Sequence, residues 1–302
     1  MAYFSAMKPN LTTSPPRNAS AIAQASLQHA QQHYENFPVA SVLLPKALRA
    51  TIAMIYSFAR QADDFADEGD DSIDQRLANL QTFRDELDLI QAYIQPNTPF
   101  FQALSLTIRQ HQLPLPPFYD LLDAFSQDVV KTRYANFDEV LDYCRRSANP
   151  IGTLLLHVYK AATPDNLARS DAICSALQLI NFYQDVAIDF AKNDGKRRIY
   201  LCQDEMAQFN ITEADIAQQQ HGLAWQQFMQ FNVARAQAML LHGKPLGATL
   251  KGRIGFELRM IIAGGERILV KLNACKGDIF HHRPQLNTWD WVIILLKATF
   301  KR

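Results

Sequence analysis

The segment KALRATIAMIYSFARQADDFAD, residues 46–67, combines an apolar helical pattern with a cluster of acids at its end. From Asp63 to Asp74 the chain carries seven acids and no base. A solvated loop explains such a cluster only if no other part of the chain needs its carboxylates. The apolar side chains before it recur at intervals of three or four residues, which predicts an amphipathic helix; they are Leu48, Ile52, Ile55 and Ala59.

Most of the remaining chain repeats this helical pattern. It contains no alternation of strands with helices, no hairpin signal and no repeat of fixed period. We therefore predict an all-α fold, a single large helical bundle over residues 19–302 that follows a loose arm over residues 1–18. The predicted helices are 20–33, 73–94, 99–112, 118–131, 138–146, 151–161, 170–190, 225–241 and 250–275, with a last one around Trp289.

The composition limits the classes of partner and compartment. Thirty basic and thirty acidic side chains cancel across the 302 residues. The chain therefore lacks the basic field that nucleic-acid binding requires, and we expect no nucleic acid as a partner. The four cysteines lie far apart and form no CxxC pair, which is typical of a reducing cytoplasm and indicates neither a zinc site nor a disulfide framework.

Neither end of the chain predicts a membrane span. The first twenty residues lack the uninterrupted apolar core of a signal peptide. Near the other end, the apolar run Trp291–Leu296 is far shorter than the roughly 20 residues that cross a bilayer. We therefore expect a cytoplasmic protein without an integral membrane segment.

Polar side chains form a stripe along the helix predicted for residues 46–67. Tyr56, Arg60, Asp63 and Asp67 are spaced four, three and four residues apart, so they share one helix face. The stripe continues from Ile52, which belongs to the apolar row that faces the core. Polar groups on such a row predict a cavity inside the bundle.

A second polar stripe lies in the middle of the helix predicted for 170–190. Gln178, Asn181, Asp185 and Asp189 are spaced three, four and four residues apart among apolar neighbours. Asparagine and aspartate are poor helix formers, so their presence here calls for a functional reason. The two stripes contain no histidine or cysteine, and hard oxygen ligands suit Mg²⁺ or Mn²⁺. Two such rows could hold a diphosphate through a small set of Mg²⁺ ions.

At this point the motifs resemble those of the squalene and phytoene synthases, from about His33 to Arg283. IYSFARQADDFAD at 55–67 is similar to the first aspartate-rich motif of that family, and QLINFYQDVAIDF at 178–190 is similar to the second. RRIYL at 197–201 resembles the arginine–tyrosine segment that follows the second motif.

Two further segments resemble one branch of this family, the hydroxysqualene synthases of bacterial hopanoid biosynthesis. They are NFPVAS at 36–41 and RRSANPIG at 145–152. The branch implies that presqualene diphosphate is ionised with Mg²⁺ and that water captures the cation to give hydroxysqualene. A C30 product would favour a peripheral contact of the segment WDWVIILLK, 289–297, with the inner face of the membrane, although this segment could also simply be the end of a bundle helix. Association with other hopanoid-pathway enzymes also stays open. One departure is Gln184, which stands where many relatives carry an arginine.

The resemblance implies a helical prenyl-synthase fold with a central cavity and a prenyl diphosphate substrate. Its implied metal-binding residues are Asp63, Asp64, Asp67, Asn181, Asp185 and Asp189, and Asp63, Asp67, Asp185 and Asp189 are the implied catalytic residues. The implied diphosphate contacts are Arg60 and Arg198, and the implied pocket residues are Tyr56, Phe37, Tyr143 and Gln178.

Several alternatives stay open at this stage. Head-to-head condensation to presqualene diphosphate, squalene or phytoene would use the same motifs. A terpene cyclase is a further alternative because DDFAD is also a DDxxD string. A di-iron bundle would need Glu-x-x-His on facing helices, and no glutamate here has a histidine three residues later. The chain has no GxGxxG fingerprint after a strand, and we expect no NADPH.

Individual residues also have structural explanations. Tyr56 and Tyr143 could be core aromatics, and Arg60 could simply pair with an acid one turn along its helix.

Overall fold

The computed structural model describes residues 45–192 and 197–300, and this part of the chain is almost entirely helical. The prediction of an all-α fold is confirmed. The helices are α1 (Lys46–Asp67), α2 (Ile73–Gln91), α3 (Pro99–His111), α4 (Pro116–Val130), α5 (Phe137–Ser147), α6 (Asn149–Val158), α7 (Pro164–Ala191), α8 (Gln203–Gln208), α9 (Glu213–Ala217), α10 (Leu223–Gly243), α11 (Leu246–Thr249), α12 (Gly252–Ala274) and α13 (Thr288–Phe300).

Side-chain caps explain where several helices begin. Thr163 caps α7 and Pro164 follows it as the first helical residue, so the helix begins six residues before the predicted start at Ser170. In the described part of the chain, five N-cap side chains accept a hydrogen bond from the backbone N–H three residues later, which satisfies a donor that the helix leaves open; they are Ser72, Thr98, Asn136, Thr163 and Thr212.

Left-handed backbone marks two boundaries that the apolar pattern missed. α2 ends at Gln91, before the predicted Ile94, and Tyr93 has a φ of 59°. Gly252 has a φ of 65° at the start of α12, so the predicted helix over 250–275 begins two residues later and the short α11 precedes it. The short helices α8 and α9 were not predicted. The predicted arm, the predicted helix 20–33 and Phe37 lie outside the described residues.

The first four helices share one apolar core. Its centre is a set of phenylalanines, one from each helix: Phe58, Phe83, Phe101 and Phe118. The Phe58 and Phe118 ring centroids are 5.1 Å apart and those of Phe83 and Phe101 are 4.8 Å apart, both edge to face, an arrangement that aromatic pairs favour. This core fixes α1, which carries the first polar stripe.

A second apolar core surrounds α7 and α10. Trp225 and Tyr183 are among its largest buried side chains, and the Trp225 indole N–H donates to the carbonyl of Gly277 at 2.8 Å. α6 belongs to both cores, because Leu154 packs in the first and Leu156 in the second. The two polar stripes are therefore anchored in different cores, with α6 between them. None of the described helices has both the length and the apolarity needed to cross a bilayer.

α7 and α10 approach each other closely at Gly243. A Cβ atom built there would lie 2.5 Å from Ile173 Cγ1 and 2.6 Å from the carbonyl oxygen of Arg169. The carbonyl belongs to the backbone of α7 and cannot turn away as a side chain would. The absence of a side chain at this position therefore allows the close packing of the two helices.

We expect Gly243→Ala to lower the free energy of unfolding by about 1–3 kcal/mol, the usual cost of overpacking a close contact. Gly222→Ser is the control, because a Cβ there would meet nothing within 4 Å, φ is −64°, and serine is favoured at the N-cap position that Gly222 holds. The control should change stability by no more than about 0.5 kcal/mol. Urea unfolding followed by circular dichroism measures both. Equal midpoints for the two variants would contradict this account of the α7–α10 contact.

Candidate active site

The two polar stripes predicted from the sequence line one cleft with a volume of about 650 Å³. α1 and α7 place these side chains on facing sides because residues three and four positions apart share one helix face. Tyr143 from α5 lines the same cleft. The members of the two stripes in the cleft are Tyr56, Arg60, Asp63 and Asp67 from α1, and Gln178, Asn181, Asp185 and Asp189 from α7.

Asp64 is not among the residues that line the cleft. It follows Asp63 directly, so its side chain points about 100° away around α1. Arg60 Nε lies 2.8 Å from Asp64 Oδ1, and Arg60 Nη2 lies 2.5 Å from Glu68 Oε1. Arg60 therefore lines the cleft and also pairs with acids of its own helix region, as the structural explanation of this residue predicted.

Two cations at the end of α7 reach across to the first stripe. Lys192 Nζ lies 2.8 Å from Asp67 Oδ2, and Arg198 Nη2 lies 3.1 Å from Asp67 Oδ1. Arg198 is only 6% exposed and donates a further bond to the backbone carbonyl of Asp128 at 2.8 Å. The guanidinium of Arg198 is therefore an interior group that connects Asp67 with the backbone of Asp128.

Arg283 makes the corresponding contact with the second stripe. Its Nε and Nη2 atoms donate to the two carboxylate oxygens of Asp185 at 2.5 and 3.0 Å. The next residue, Pro284, accepts a hydrogen bond from Gln184 Nε2 at 2.6 Å. Gln184 thus contacts the segment that carries Arg283.

Asp128 of α4 is the buried centre of a hydrogen-bond network beside the cleft. Tyr143 donates its hydroxyl to Asp128 Oδ2 at 2.5 Å, and Tyr200 donates to Oδ1 at 3.2 Å. Arg198 Nη1 donates to the Tyr200 hydroxyl at 3.1 Å. Burial raises the pKa of Asp128 to about 6, although Arg198 and the Tyr143 hydroxyl favour the carboxylate. Tyr143 therefore has both of the roles considered for it, a satisfied buried hydroxyl and a cleft-lining ring.

More acidic than basic side chains line the cleft. Burial and the charge of Asp67 raise the pKa of Asp63 to about 7. Burial and the charge of Asp185 likewise raise the pKa of Asp189 to about 7. Burial acts on Asp67 in the same direction, but Arg198 and the neighbouring lysine outweigh it and hold the pKa of Asp67 below its ordinary value. A cation bound near Asp63 and Asp189 would relieve this repulsion.

The donor atoms in the cleft fit a hard divalent cation. The two stripes offer carboxylate and amide oxygens on both walls, the ligands that Mg²⁺ prefers. Within the described residues, no three carboxylates of the cleft have their ligand oxygens within 4.8 Å of one another. Outside the cleft, ligand atoms of His221, Asp278 and His281 do lie within that distance of one another. An ion in the cleft would therefore complete its shell with water or substrate oxygens, as Mg²⁺ commonly does.

An apolar cavity of about 240 Å³ adjoins the polar cleft. Tyr56, Gln178 and Asn181 line both spaces and so mark the junction between them. Most of the other lining side chains are aliphatic, including Ile52 and Leu177. A molecule with an anionic head and a hydrocarbon chain would find a matching environment at each end.

Sequence reasoning missed three polar residues of this region and gave no role to a fourth, Tyr200 of the RRIYL segment. Asp128 had a weak signal, since it is an acid between apolar positions of a predicted helix. Lys192 follows the second motif without any periodic pattern. Arg283 lies 98 positions beyond its partner Asp185, and only the folded chain brings the two together. Of the predicted residues, Phe37 is outside the described part of the chain.

Comparison with known proteins gives the family. The sequence model of the squalene/phytoene synthase family matches residues 30–290. Hydroxysqualene synthase from Zymomonas mobilis is 35% identical over 259 residues, which cover 84% of this chain and 83% of that protein. Its counterpart from Rhodopseudomonas palustris is 35% identical over 262 residues and 86% of each chain. Phytoene synthase from Arthrospira platensis is 28% identical over 299 residues and 95% of each chain.

Solved structures agree with this assignment. The crystal structure of squalene synthase HpnC from Alicyclobacillus acidocaldarius has a TM-score of 0.79 and 32% identity, and the match covers 86% of this chain and 96% of that one. A dehydrosqualene synthase has a TM-score of 0.82 at 19% identity, over 94% of this chain and 97% of that one, which shows the shared fold. The chain therefore belongs to the squalene/phytoene synthase family of prenyl-diphosphate-processing enzymes.

Proposed function

We propose that the protein ionises presqualene diphosphate with the help of Mg²⁺ and directs water to the cation, releasing hydroxysqualene and diphosphate. The observation that carries this proposal is the pair of aspartate stripes in one cleft that adjoins an apolar cavity. The similarity to two proteins named hydroxysqualene synthase, at 35% identity, supports the choice of reaction within the family.

The cleft would bind the diphosphate group of the substrate. Asp63, Asp67, Asp185, Asp189 and Asn181 would hold Mg²⁺, which when bound neutralises the negative charge that grows on a departing diphosphate. Asp67 could bind a cation without first losing a proton, because its pKa lies below its ordinary value. The residues on opposite walls would thus enclose the charged head of the substrate.

Three cations beside the stripes would assist the departure of diphosphate. Lys192 and Arg198 now contact Asp67, and Arg283 contacts Asp185. Each could donate N–H hydrogen bonds to phosphate oxygens if a divalent ion shared in binding the carboxylates. Preorganised donors of this kind stabilise charge that develops in the transition state.

The cavity would protect the hydrocarbon cation that remains. Its aliphatic walls exclude bulk water, so the cation meets few nucleophiles. Aromatic faces near the junction can stabilise positive charge: Tyr56 lines both spaces, and the Phe182 and Tyr200 rings stack with centroids 3.9 Å apart at the cleft. In the overall reaction the carbon–oxygen bond to diphosphate breaks with its electron pair on oxygen, and one water adds to the cation and loses a proton.

Other reactions of the family would use the same cleft. Condensation of two prenyl diphosphates is the second candidate, since phytoene synthases are also similar to this chain over nearly its whole length. A terpene cyclase is less well supported, because the second motif here has aspartate at both later positions, Asp185 and Asp189.

We also propose that α13 contacts a membrane surface, where a C30 substrate and product would partition. Trp289 and Phe300 are 77% and 78% exposed, and Val292 and Leu296 are exposed along the same helix face. The spacing of three, four and four residues forms one apolar stripe. An exposed stripe of this kind suits insertion into the headgroup region of a bilayer.

The metal hypothesis predicts that Asp63→Asn and Asp185→Asn each lower turnover about a hundredfold or more, because each removes a ligand and a charge. EDTA should abolish wild-type activity, and Mg²⁺ or Mn²⁺ should restore it. Asp70→Asn is the matched control, an exposed acid of the same cluster outside the cleft. Diphosphate release measures turnover. Full activity in a metal-free preparation, or near-normal turnover in both variants, would be incompatible with the hypothesis.

The reaction hypothesis predicts a C30 alcohol from presqualene diphosphate, formed at the same rate with or without NADPH. In ¹⁸O-enriched water the alcohol oxygen should carry the label, because water is the nucleophile. Mass spectrometry of the extracted lipid measures both. Squalene as the main product only when NADPH is supplied would overturn this reaction, and condensation of farnesyl or geranylgeranyl diphosphate as the main activity would favour the second candidate.

The membrane hypothesis predicts that Trp289→Ser with Leu296→Ser lowers binding to phospholipid vesicles several-fold in a sedimentation assay, because it removes apolar surface that would enter the bilayer. Tyr93→Ser is the control, since Tyr93 is 86% exposed but lies after α2. Vesicle binding that is equal in all three proteins would argue against α13 as the contact.

A further inference from the structure

One carboxylate lies on the wall of the otherwise mainly aliphatic cavity. The face of α12 that lines the cavity carries Ile254, Glu257, Leu258 and Ile261, at helical spacing. Among the described residues that line this cavity, Glu257 is the acidic one. Neither aspartate stripe includes it, and no motif in the sequence indicates it.

Glu257 is partly buried in this wall, and its Oε2 atom is shielded from solvent. The neighbouring positions on the same face are aliphatic, so an apolar side chain fits this part of the wall. Glu257 therefore gives an otherwise apolar surface one carboxylate that can accept a hydrogen bond or a proton.

Two tyrosine hydroxyls lie within electrostatic range of Glu257. Burial and the negative charge of Glu257 both raise the pKa of Tyr159, and burial, Cys174 and Glu257 raise that of Tyr56. Both hydroxyls consequently remain protonated and can donate hydrogen bonds. Tyr56 also lines the junction with the polar cleft. Tyr56 therefore lies toward the end of the cavity where the diphosphate would leave.

A water molecule needs such a group to remain in an aliphatic cavity. Ordered buried waters make two to four hydrogen bonds, and purely apolar cavities of this size stay dry. Glu257, Tyr56 and Tyr159 offer one charged acceptor and two hydroxyls on the cavity wall. The remaining polar atoms at the junction, on Gln178 and Asn181, belong to the second aspartate stripe.

We propose that Glu257 holds the water that captures the carbocation and accepts its proton; this rests on the function proposed above. The water oxygen forms the new bond to the cationic carbon, one O–H bond breaks, and the proton passes to the Glu257 carboxylate. The electron pair of the original carbon–oxygen bond has already left with diphosphate. Glu257 returns to the carboxylate by losing the proton to solvent when the product leaves.

The test is the ratio of alcohol formed to diphosphate released in Glu257→Gln. Glutamine keeps the shape and can still accept a hydrogen bond, but it cannot take the proton. We expect diphosphate release to stay within about threefold of wild type, because ionisation depends on the cleft. The alcohol fraction should fall about tenfold or more, a modest loss for a general base, and C30 hydrocarbons formed by proton loss should replace the alcohol.

Glu266→Gln is the matched control on the same helix. Glu266 pairs with Lys244 and Lys297 away from the cavity, and its variant should keep the wild-type ratio. Glu257→Met serves as a second variant with the same expected ratio if Glu257→Gln is poorly folded, since the ratio does not depend on the amount of active protein.

An unchanged ratio in the Glu257 variants would overturn the inference. A purely structural role would give this result, because it would lower alcohol and diphosphate together. Failure of the proposed function looks different: the wild-type protein itself would then form no alcohol from presqualene diphosphate, and both proposals would fall.

Discussion

Repulsion among carboxylates in a partly buried cleft is the constraint on which the rest of this structure depends. Aspartates from α1 and α7 share the cleft, and the pKa values of Asp63 and Asp189 are both raised to about 7. Such a group destabilises the folded chain unless cations lie close. Arg198, Lys192 and Arg283 provide this compensation, each through a contact with one motif aspartate.

Under the proposed function, the same contacts would let the site stay folded and still bind an anion. The cations hold the carboxylates in the absence of substrate, and they would also supply the donors that a diphosphate group needs. Asp128 extends this arrangement inward, since it receives two tyrosine hydroxyls while its backbone carbonyl accepts from Arg198. Stability of the cleft and the proposed recognition of diphosphate would therefore depend on one set of charges.

The sequence was sufficient for the fold class and for the two stripes, because both depend on local helical spacing. Asp63 and Asp67 share a face in any helix, and so do Asp185 and Asp189. Helix ends were predicted less well. Thr163 caps α7 earlier than the apolar pattern suggests, and the left-handed backbone of Tyr93 follows directly after the end of α2. Caps and left-handed residues act on one or two positions, so they leave little trace in a periodic pattern.

Contacts between distant segments could not be predicted in this way. Arg283 meets Asp185 next to the point where Gln184 donates to the carbonyl of Pro284, and no spacing along the chain reveals either contact. Glu257 is a similar case, since its charge is unremarkable until the face of α12 is seen to line the cavity. Asp64 shows the reverse: the motif includes it, but its angle on α1 directs it to Arg60.

The position of α6 between the two apolar cores has a consequence for specificity. Leu154 and Leu156, two positions apart, pack into different cores, and the side chain of Asn149 at the start of the helix accepts a hydrogen bond from Ser175 of α7 at 3.0 Å. Ile151 and Leu155 of the same helix line the apolar cavity, so α6 links the two cores and forms one wall of that cavity. A change of side-chain volume on a core-facing side of α6 would shift this wall, with every residue of the polar cleft unchanged. The space open to a hydrocarbon chain therefore depends on how the two cores pack as well as on the residues that line the cavity.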